Sequence, residues 1–269
     1  MLKKTAIYGV LTVGAFVTLF PYLLVVLTAF KDRGQLYSTK PWLPGIPPSL
    51  DSMHRLIDSG FLHYIGHTVL MTVVLTTGQL VFTTFAAYAF ARMEFRGREV
   101  LFWCYLATMM VPNVVTMIPL FLIMRQLHLV NTWFGLLAPY ILGTPYGIFL
   151  MRQFFRTIPV DLEDAARIDG AGPFTILWRI LLPLSRPALG TLAIITTVQS
   201  WNNFLWPLII SSSDDNKVAT VAIATLRQNI GGDYNLMMAG SLVALLPMVV
   251  IFLCFQRFIV RSVVLTGLK

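Results

Sequence analysis

Six long windows of this 269-residue sequence contain no Asp, Glu, Lys or Arg. They are residues 5–30, 59–91, 100–124, 126–151, 187–213 and 234–256. An α-helix needs about 20 mostly apolar residues to cross the ~30 Å hydrocarbon core of a bilayer, and every window exceeds that length. The windows are continuously apolar and do not alternate, which favours helices over the strands of a membrane barrel. The sequence therefore predicts an all-α membrane protein with six transmembrane helices.

The composition excludes several other classes of protein. Hydrophobic residues make up 57% of the chain and charged residues 12%, whereas soluble domains have roughly 45–50% and about 25%. One globular core cannot bury this excess, which argues against a soluble enzyme, a disordered regulator or a disulfide-stapled secreted protein. The net charge of +8 is attributed to basic residues that flank the spans, so no nucleic-acid partner is expected. Cys104 and Cys254 stand apart in apolar windows and are interpreted as structural thiols.

The distribution of basic residues predicts the orientation of the chain. With six spans, the side that holds both termini carries thirteen of the 20 Lys and Arg residues, including Lys3, Arg92, Arg167 and Lys269. Loops rich in Lys and Arg stay in the cytoplasm. Both termini are therefore predicted to be cytoplasmic.

The six windows lack ionisable side chains at mid-depth, and helix breakers stand there instead. Proton pumps and ion-coupled carriers usually need charges inside the membrane, so this absence argues against a self-powered carrier. The breakers are Pro112, Pro119, Pro139, Pro145 and Pro247. Prolines inside a helix kink it. Such kinks suit the wall or hinge of a pathway, but ordinary packing kinks explain them equally well.

A cytoplasmic loop over about 152–187 carries a helical pattern. Asp161 is a candidate N-cap, and Asp164 stands where a capping-box partner would be. A short helix is predicted over 162–168, with Glu163 and Arg167 paired on its surface at i,i+4 spacing. Gly170 suits the left-handed position that ends a helix.

A second helix is predicted to follow from Pro173, which suits a first helical turn. Phe174, Leu177, Trp178 and Leu181 are predicted to share its apolar stripe. The first helix would then present a compact surface with small alanines to another protein. An ordinary connecting loop is the alternative that these residues leave open.

A longer pattern in the loop resembles a known family. Asp164-Ala165-Ala166, three residues, Gly170, nine residues, Ile180, one residue and Leu182-Pro183 resemble the EAA loop of permease subunits of bacterial ABC importers. The string EDAARIDGAG with the later LPLSRPAL is similar to the carbohydrate-uptake branch, the maltose-type second permease. One departure is Asp164, which stands where the family usually has Glu and keeps the charge on a shorter stem.

Other segments support the same resemblance. Residues 201–207, Trp-Asn-Asn-Phe-Leu-Trp-Pro, and residues 86–92, Ala-Ala-Tyr-Ala-Phe-Ala-Arg, are similar to segments of the fifth and second spans of that family. His67-Thr68 departs from the Asn-Ser usual at the start of the second span. The resemblance implies the type I ABC importer permease fold. It also implies a single transmembrane domain over 1–269, with a core over about 66–260 and a coupling loop over about 156–187.

The resemblance implies a set of partners and a location. The chain has no G-x-x-x-x-G-K-[ST] phosphate loop, so it is not expected to be an enzyme or to hold a cofactor. ATP and Mg would be bound by two partner ATPase subunits. A second, homologous permease would complete a heterodimer, an extracytoplasmic solute-binding protein would deliver the solute, and membrane lipid would surround the spans. The location implied is the bacterial plasma (inner) membrane.

The same resemblance assigns residues to coupling and suggests a pathway. The ATPase-coupling residues implied are Glu163, Asp164, Ala165, Ala166, Arg167, Asp169, Gly170 and Pro183. Sugars bind by stacking on aromatic rings and by hydrogen bonds to amides, and both chemistries occur in the fifth window. The candidate pathway residues are Trp201, Asn202, Asn203, Trp206, Gln199 and Met109. A helix–helix contact is the alternative role for these Trp and Asn residues.

Other readings of the sequence remain open. The solute could be glycerol phosphate, a polyol or an amino sugar in place of a sugar or oligosaccharide. An ATP-independent carrier is disfavoured by the uncharged spans, and a membrane scaffold would not need the EAA spacing. His63 and His67 stand at i,i+4 spacing without a carboxylate or cysteine beside them, so packing is expected there and not a metal site.

Overall fold

A computed structural model describes residues 2–38, 40–229 and 233–266 of the chain. All regular elements within these ranges are helices. Lys269, which contributes to the predicted cytoplasmic charge, lies outside the described residues.

The first half contains two long apolar helices separated by two short polar ones, and three shorter apolar helices follow. Their bounds are α1 Leu2–Ala29, α2 Arg33–Ser38, α3 Asp51–Asp58, α4 Phe61–Arg92, α5 Arg98–Ala107, α6 Asn113–Gln126 and α7 Trp133–Ile141. A 3₁₀ turn over Thr108–Met110 extends α5.

Most helices of the second half are short, and two of them begin at a proline. Their bounds are α8 Pro145–Thr157, α9 Asp161–Ile168, α10 Pro173–Ile176, α11 Leu182–Leu184, α12 Arg186–Trp201, α13 Leu205–Ile210, α14 Ala219–Asn229 and α15 Tyr234–Thr266. A π-helical turn over Leu177–Leu181 joins α10 to α11. The helix α14 lies on the apolar run 218–226 between the last two windows, which is too short to cross a bilayer.

The described residues contain four helical stretches long and apolar enough to cross a membrane. They lie at Lys4–Ala29, Phe61–Arg92, Trp133–Thr157 and Tyr234–Phe255. Two bent pairs also qualify if each pair forms one span, which raises the number to six. The prediction of an all-α membrane protein is therefore confirmed at the level of helices and apolar stretches.

The third and fifth windows do not form single straight helices. In the third, the chain bends by 102° between Arg98–Met110 and Asn113–Gln126. Val111, directly before Pro112, is extended with ψ of 119°, because proline disfavours helical conformation in the residue that precedes it. In the fifth, α12 meets the preceding helical stretch at 81° and ends at Trp201.

The two prolines of the fourth window differ in position, and Pro139 lies inside α7. Pro145 occupies the first turn of α8, where its missing N–H is harmless. The Thr144 side chain caps this helix by accepting from the Gly147 amide at 3.1 Å. Thr132 caps α7 in the same way through the Gly135 amide, at 3.0 Å. Local capping therefore divides this window into two helices, although the stretch is long enough to cross a bilayer.

The chain forms two compact units. One consists of residues 1–67 and 218–250, and the other of residues 68–217 and 251–269. The core of the first unit is built from α1, α3, the start of α4, α14 and α15, with Leu56, Phe61 and Leu236 almost fully buried. The core of the second unit surrounds Phe102, Met151 and Phe155, which are also almost fully buried.

A buried polar stripe runs along α4 within the second unit. Its members follow each other at three- and four-residue spacing, and they are Thr68, Thr72, Thr76, Gln79 and Thr83. Gln79 donates to the Tyr140 carbonyl at 2.8 Å, and the hydroxyls of Thr76 and Thr197 lie 3.3 Å apart. Interhelical hydrogen bonds of this kind contribute about 0.6 kcal/mol each inside a membrane. The stripe therefore orients α4 against its neighbours as well as contributing to packing.

Candidate functional site

The coupling loop contains the predicted short helix, α9, which begins one residue earlier than expected. Asp161 is its first residue, and Val160 precedes it as an N-cap without a side-chain hydrogen bond. The predicted N-cap role of Asp161 and the capping box with Asp164 are therefore wrong. The acidic residues of the first turn still stabilise α9, because its N-terminus carries a partial positive charge.

The C-terminus of α9 is closed by a complete Schellman motif. Gly170 has φ of +83°, and its amide donates to the Arg167 carbonyl at 3.0 Å. The Ala171 amide donates to the Ala166 carbonyl at 2.9 Å. Both bonds satisfy carbonyls that the end of a helix leaves open. The predicted left-handed role of Gly170 is confirmed, and α9 is a closed, well-defined element.

The helix α9 has one buried face and one exposed face. Glu163 is fully buried, and Ala166 packs at the edge of the core of the second unit. The exposed face carries charged, small and apolar side chains, namely Leu162, Asp164, Ala165, Arg167, Ile168 and Asp169. Ile168 is 87% exposed. This face combines the features of a protein-docking surface, with apolar anchors beside fixed charges.

Arg167 organises the charges of the exposed face. Its guanidinium lies 2.7 Å from the Asp164 carboxylate and 3.7 Å from the Glu163 carboxylate. The predicted pairing of Glu163 with Arg167 is thus present. Its predicted location on the helix surface is wrong, because the Glu163 side chain points into the protein.

Glu163 has a nearer partner that the sequence analysis missed. Arg92, the last residue of α4, places its Nε 2.5 Å from the Glu163 carboxylate. Both side chains are withdrawn from solvent, with exposures of 9% and 0%. The only sequence signal was a basic residue at the end of one apolar window and an acidic residue in a distant loop. No local periodicity relates two such positions.

The second half of the coupling loop departs from a regular amphipathic helix. Leu177 and Leu181 are buried as predicted, whereas Phe174 and Trp178 are exposed at 70% and 59%. The four apolar side chains therefore do not share one face as predicted but lie on a buried and an exposed face. The π-helical turn over Leu177–Leu181 is the reason, because it shifts the spacing at which side chains share a face. Pro183 follows on α11 and is exposed.

The candidate pathway residues of the fifth window gather at the break between α12 and α13. Gln199 and Asn202 are exposed, Asn203 is half-buried and Trp201 is buried. Asn202 donates to the Val198 carbonyl at 2.9 Å. The break thus brings amide groups together on irregular backbone, which in membrane proteins occurs only where protein or water surrounds it.

Trp206 and Met109 lie in different surroundings from these amides. The Trp206 ring is fully buried, its Nε1 donates to the Gly135 carbonyl at 3.2 Å, and Tyr140 packs against its edge. Met109 stands on the 3₁₀ turn after α5 and is 52% exposed. The structure therefore places Trp206 in a packing role.

Metal-ligating residues do not cluster in the described ranges. No group of three or more His, Cys, Asp and Glu side chains there has the geometry to hold an ion. The rings of His63 and His67 contact each other edge to face, with centroids 4.0 Å apart.

A charged cluster lies in the first unit, which the sequence analysis did not predict. The buried Asp233 carboxylate accepts from Arg33 at 2.8 Å and from Arg55 at 2.5 Å. Burial raises the pKa of Asp233, but the hydrogen bonds from Arg55 and Arg33 outweigh burial, so the pKa lies below its usual value. The buried Lys31 ammonium donates to the Lys40 carbonyl at 3.0 Å, and burial lowers the pKa of Lys31.

Comparison with known families and relatives supports a transport role. Residues 79–264 match the family described as "binding-protein-dependent transport system inner membrane component". The chain is 34% identical to the arabinooligosaccharides transport system permease protein AraQ of Halalkalibacterium halodurans, over 100% of both chains. It is 31% identical to the sn-glycerol-3-phosphate transport system permease protein UgpE of Yersinia pestis, over 94% of this chain and 93% of that protein.

Solved structures share the fold. The chain superimposes with a TM-score of 0.84 on a chain from the crystal structure of a bacterial ABC transporter involved in the import of the acidic polysaccharide alginate. The two are 24% identical, and the match covers 95% of this chain and 96% of the other. A second alginate transporter structure, in complex with a periplasmic protein bound to alginate pentasaccharide, matches with a TM-score of 0.70 at 15% identity.

Proposed function

Because the chain belongs to the family of binding-protein-dependent transport system inner membrane components, we propose that it is the second permease subunit of a sugar or oligosaccharide importer. The permease is a non-catalytic membrane subunit. It would form a heterodimer with another, homologous permease subunit, and the two would line the translocation pathway together. A solute-binding protein would deliver the solute, and two ATPase subunits would bind ATP and Mg and supply the energy.

The observation that carries this proposal is the exposed face of α9. A helix of eight residues is marginal in water by itself, yet this one is closed by a Schellman motif and anchored by Glu163. Its outward side chains are thereby held in fixed positions for a partner. We assign this face, with Asp164, Ala165 and Ile168 at its centre, to a groove on one ATPase. Asp169, Gly170 and Pro183 would shape the segment that follows.

The apolar stretches support six spans with both termini in the cytoplasm. We count α5 with α6 as one span and α12 with α13 as another, since none of these four helices is long enough by itself to cross a bilayer. The charged loops at α9 and after α4 would then share the cytoplasmic side with both termini. We retain a single permease domain over 1–269 as part of this proposal.

The pathway would use the amide groups at the break between α12 and α13. Gln199, Asn202 and Asn203 offer hydrogen bonds to sugar hydroxyls, and Trp201 and Met109 remain candidates for apolar contact. We assign Trp206 to the support of this segment, because its ring and its N–H are both engaged within the protein. An uncharged pathway fits a neutral solute better than an anion.

The relatives favour two solute classes. The arabinooligosaccharide permease matches with 34% identity over the full length, and the glycerol-3-phosphate permeases match with 31%. The six windows contain no Lys or Arg to bind a phosphate. We therefore place a neutral sugar or oligosaccharide first and glycerol phosphate second.

Affinity purification in mild detergent tests the assembly. We expect the chain to co-purify with one other permease and two copies of an ATPase. We also expect solute-loaded binding protein to stimulate ATP hydrolysis by this complex. Uptake of labelled arabinooligosaccharide and of glycerol 3-phosphate then separates the two solute classes. Recovery of the chain alone, under conditions that preserve known transporter complexes, would contradict the proposal.

A further inference from the structure

Two buried arginines connect the cytoplasmic ends of α4 and α8 reciprocally. Arg92 of α4 donates through Nη2 to the carbonyls of Phe155 and Ile158, at 2.7 and 2.6 Å. Arg152 of α8 donates through Nε to the Phe90 carbonyl at 3.1 Å. Each guanidinium thus occupies the C-terminal end of the other helix, where open carbonyls and the helix dipole favour a cation. The two ends are held together without a direct carboxylate between them.

Each arginine also binds a carboxylate from a further helix. Arg92 holds Glu163 of α9 at 2.5 Å, and Arg152 holds Glu99 of α5 at 2.5 Å. The two pairs differ in burial, because Glu163 is fully buried whereas Glu99 is 51% exposed. Separating a buried pair leaves an uncompensated charge, which is far more costly than separating a solvated pair. The Arg92–Glu163 contact is therefore the firmer of the two.

This contact gives α9 an attachment that its backbone does not provide. By the chain, α9 is connected only to α8, which ends at Thr157, and to α10, which starts at Pro173. Through Glu163 it is also attached to the end of α4, a helix of 32 residues.

We propose that Arg92 and Glu163 are positioning residues that make α9 and the cytoplasmic end of α4 move as one body. This inference rests on the proposed docking of α9 on an ATPase. When the ATPases close on ATP, α9 would carry the end of α4 with it. The bonds from Arg92 to Phe155 and Ile158 would include the end of α8 in the same movement. The motion would thus enter the membrane directly through α4 and α8, in addition to α10 and α12.

A distance measurement in the assembled transporter tests the shared movement. Spin labels at Val160→Cys, directly before α9, and at Met93→Cys, after α4, use two exposed positions outside the docking face, with Cys104 and Cys254 replaced by serine. In the otherwise native chain the distance between labels should be the same with and without ATP. In Glu163→Gln the distance should change with ATP. A distance that already depends on ATP in the native pair would overturn the proposal.

Transport measurements supply a second readout. Glu163→Gln should lower solute uptake per ATP hydrolysed about tenfold, within the range of typical coupling between sites, while ATPase subunits co-purify normally. Glu99→Gln is the matched control, since it removes the solvated carboxylate from the other arginine, and uptake per ATP should be unchanged. If Glu163→Gln does not accumulate in membranes, Arg92→Lys keeps the charge and removes the fork that reaches both carbonyls. Unchanged uptake per ATP in the variant that assembles would contradict the proposal.

Co-purification distinguishes this inference from the proposed function. Asp164→Asn combined with Ile168→Ser alters only the exposed face of α9, and should weaken capture of the ATPases. If capture is unaffected by that variant, docking through α9 is wrong and the positioning role falls with it. If capture weakens as expected and Glu163→Gln still transports with normal coupling, the positioning role alone is wrong.

Discussion

At the scale of single residues, the backbone of Gly170 determines where α9 ends. A Cβ at this position would meet nothing within 4 Å, and yet φ is +83°. The cost of a side chain there is therefore one of backbone conformation and not of space. The amide of Gly170 is engaged as well, since it donates to the Arg167 carbonyl.

Substitutions of Gly170 should separate these two features. Gly170→Ala should lower the free energy of unfolding by about 1 kcal/mol and leave uptake per ATP close to normal. Gly170→Pro should abolish coupled uptake, because it removes the amide donor and requires a negative φ. Gly97→Ala is the matched control, with φ of +81° and equally open space. It should cost similar stability in thermal unfolding. Equal transport by Gly170→Pro and the native chain would contradict this role of the turn.

Trp206 illustrates a residue whose chemistry suggests a ligand but whose surroundings indicate packing. Trp206→Phe should lower stability by about 1–2 kcal/mol through loss of the hydrogen bond to Gly135. The apparent affinity of uptake for the solute should change by no more than about twofold, because the Trp206 ring is engaged within the protein. A tenfold change in affinity would correspond to about 1.4 kcal/mol of binding free energy. Thermal unfolding and concentration-dependent uptake measure both effects. A large change in affinity with unchanged stability would contradict this, and would indicate that Trp206 contacts the solute in the pathway.

At the scale of elements, the Asp233 cluster connects α2, α3 and the start of α15. One buried carboxylate accepts from arginines of two different helices, and Asn235 donates to the Lys31 carbonyl at 2.5 Å. These bonds hold the polar loop between the first two long helices against the last one. The first unit thus depends on charge as well as on its apolar core.

Removal of the Asp233 charge should destabilise the first unit. We expect Asp233→Asn to cost about 3 kcal/mol, at the lower end for a broken buried pair, because solvent screens the exposed Arg33. The pKa of Asp233 is lowered on folding, so its stabilising effect is complete above about pH 4 and is lost as pH falls further. The stability difference between native and variant chains should be constant from pH 5 to 8 and shrink below pH 4. A difference that grows on acidification would contradict this.

The elements also show what sequence patterns can and cannot predict. Charge-free windows located the apolar stretches, and glycine and proline chemistry located the end of α9 and the start of α10, because these signals are local. An interruption at Pro112 was predicted from the proline, whereas the break after Trp201 and the burial of Glu163 were not predicted. They depend on contacts such as that between Glu163 and Arg92, which are 71 positions apart in the numbering and share no periodicity. The π-helical turn over Leu177–Leu181, which divides the apolar stripe predicted after Pro173, was likewise not predicted from local patterns.

At the scale of the whole molecule, the account requires α2 and α9 to lie on opposite sides of the membrane. Tyr37 of α2 and Val160, which directly precedes α9, are exposed at 82% and 46%. In a chain with Cys104 and Cys254 replaced by serine, Tyr37→Cys should react with an impermeant maleimide in spheroplasts. Val160→Cys should react only after permeabilisation. Labelling of both positions from the outside would contradict the predicted orientation.

Uptake by proteoliposomes that contain the assembled transporter tests the central claim most directly. Labelled arabinooligosaccharide, with its binding protein on the outside, should enter only when ATP is present on the side of α9. Uptake should stop with Gly170→Pro although the subunits remain assembled. Entry of the solute at the same rate without ATP, and in the Gly170→Pro chain, would show a self-sufficient carrier and contradict the account.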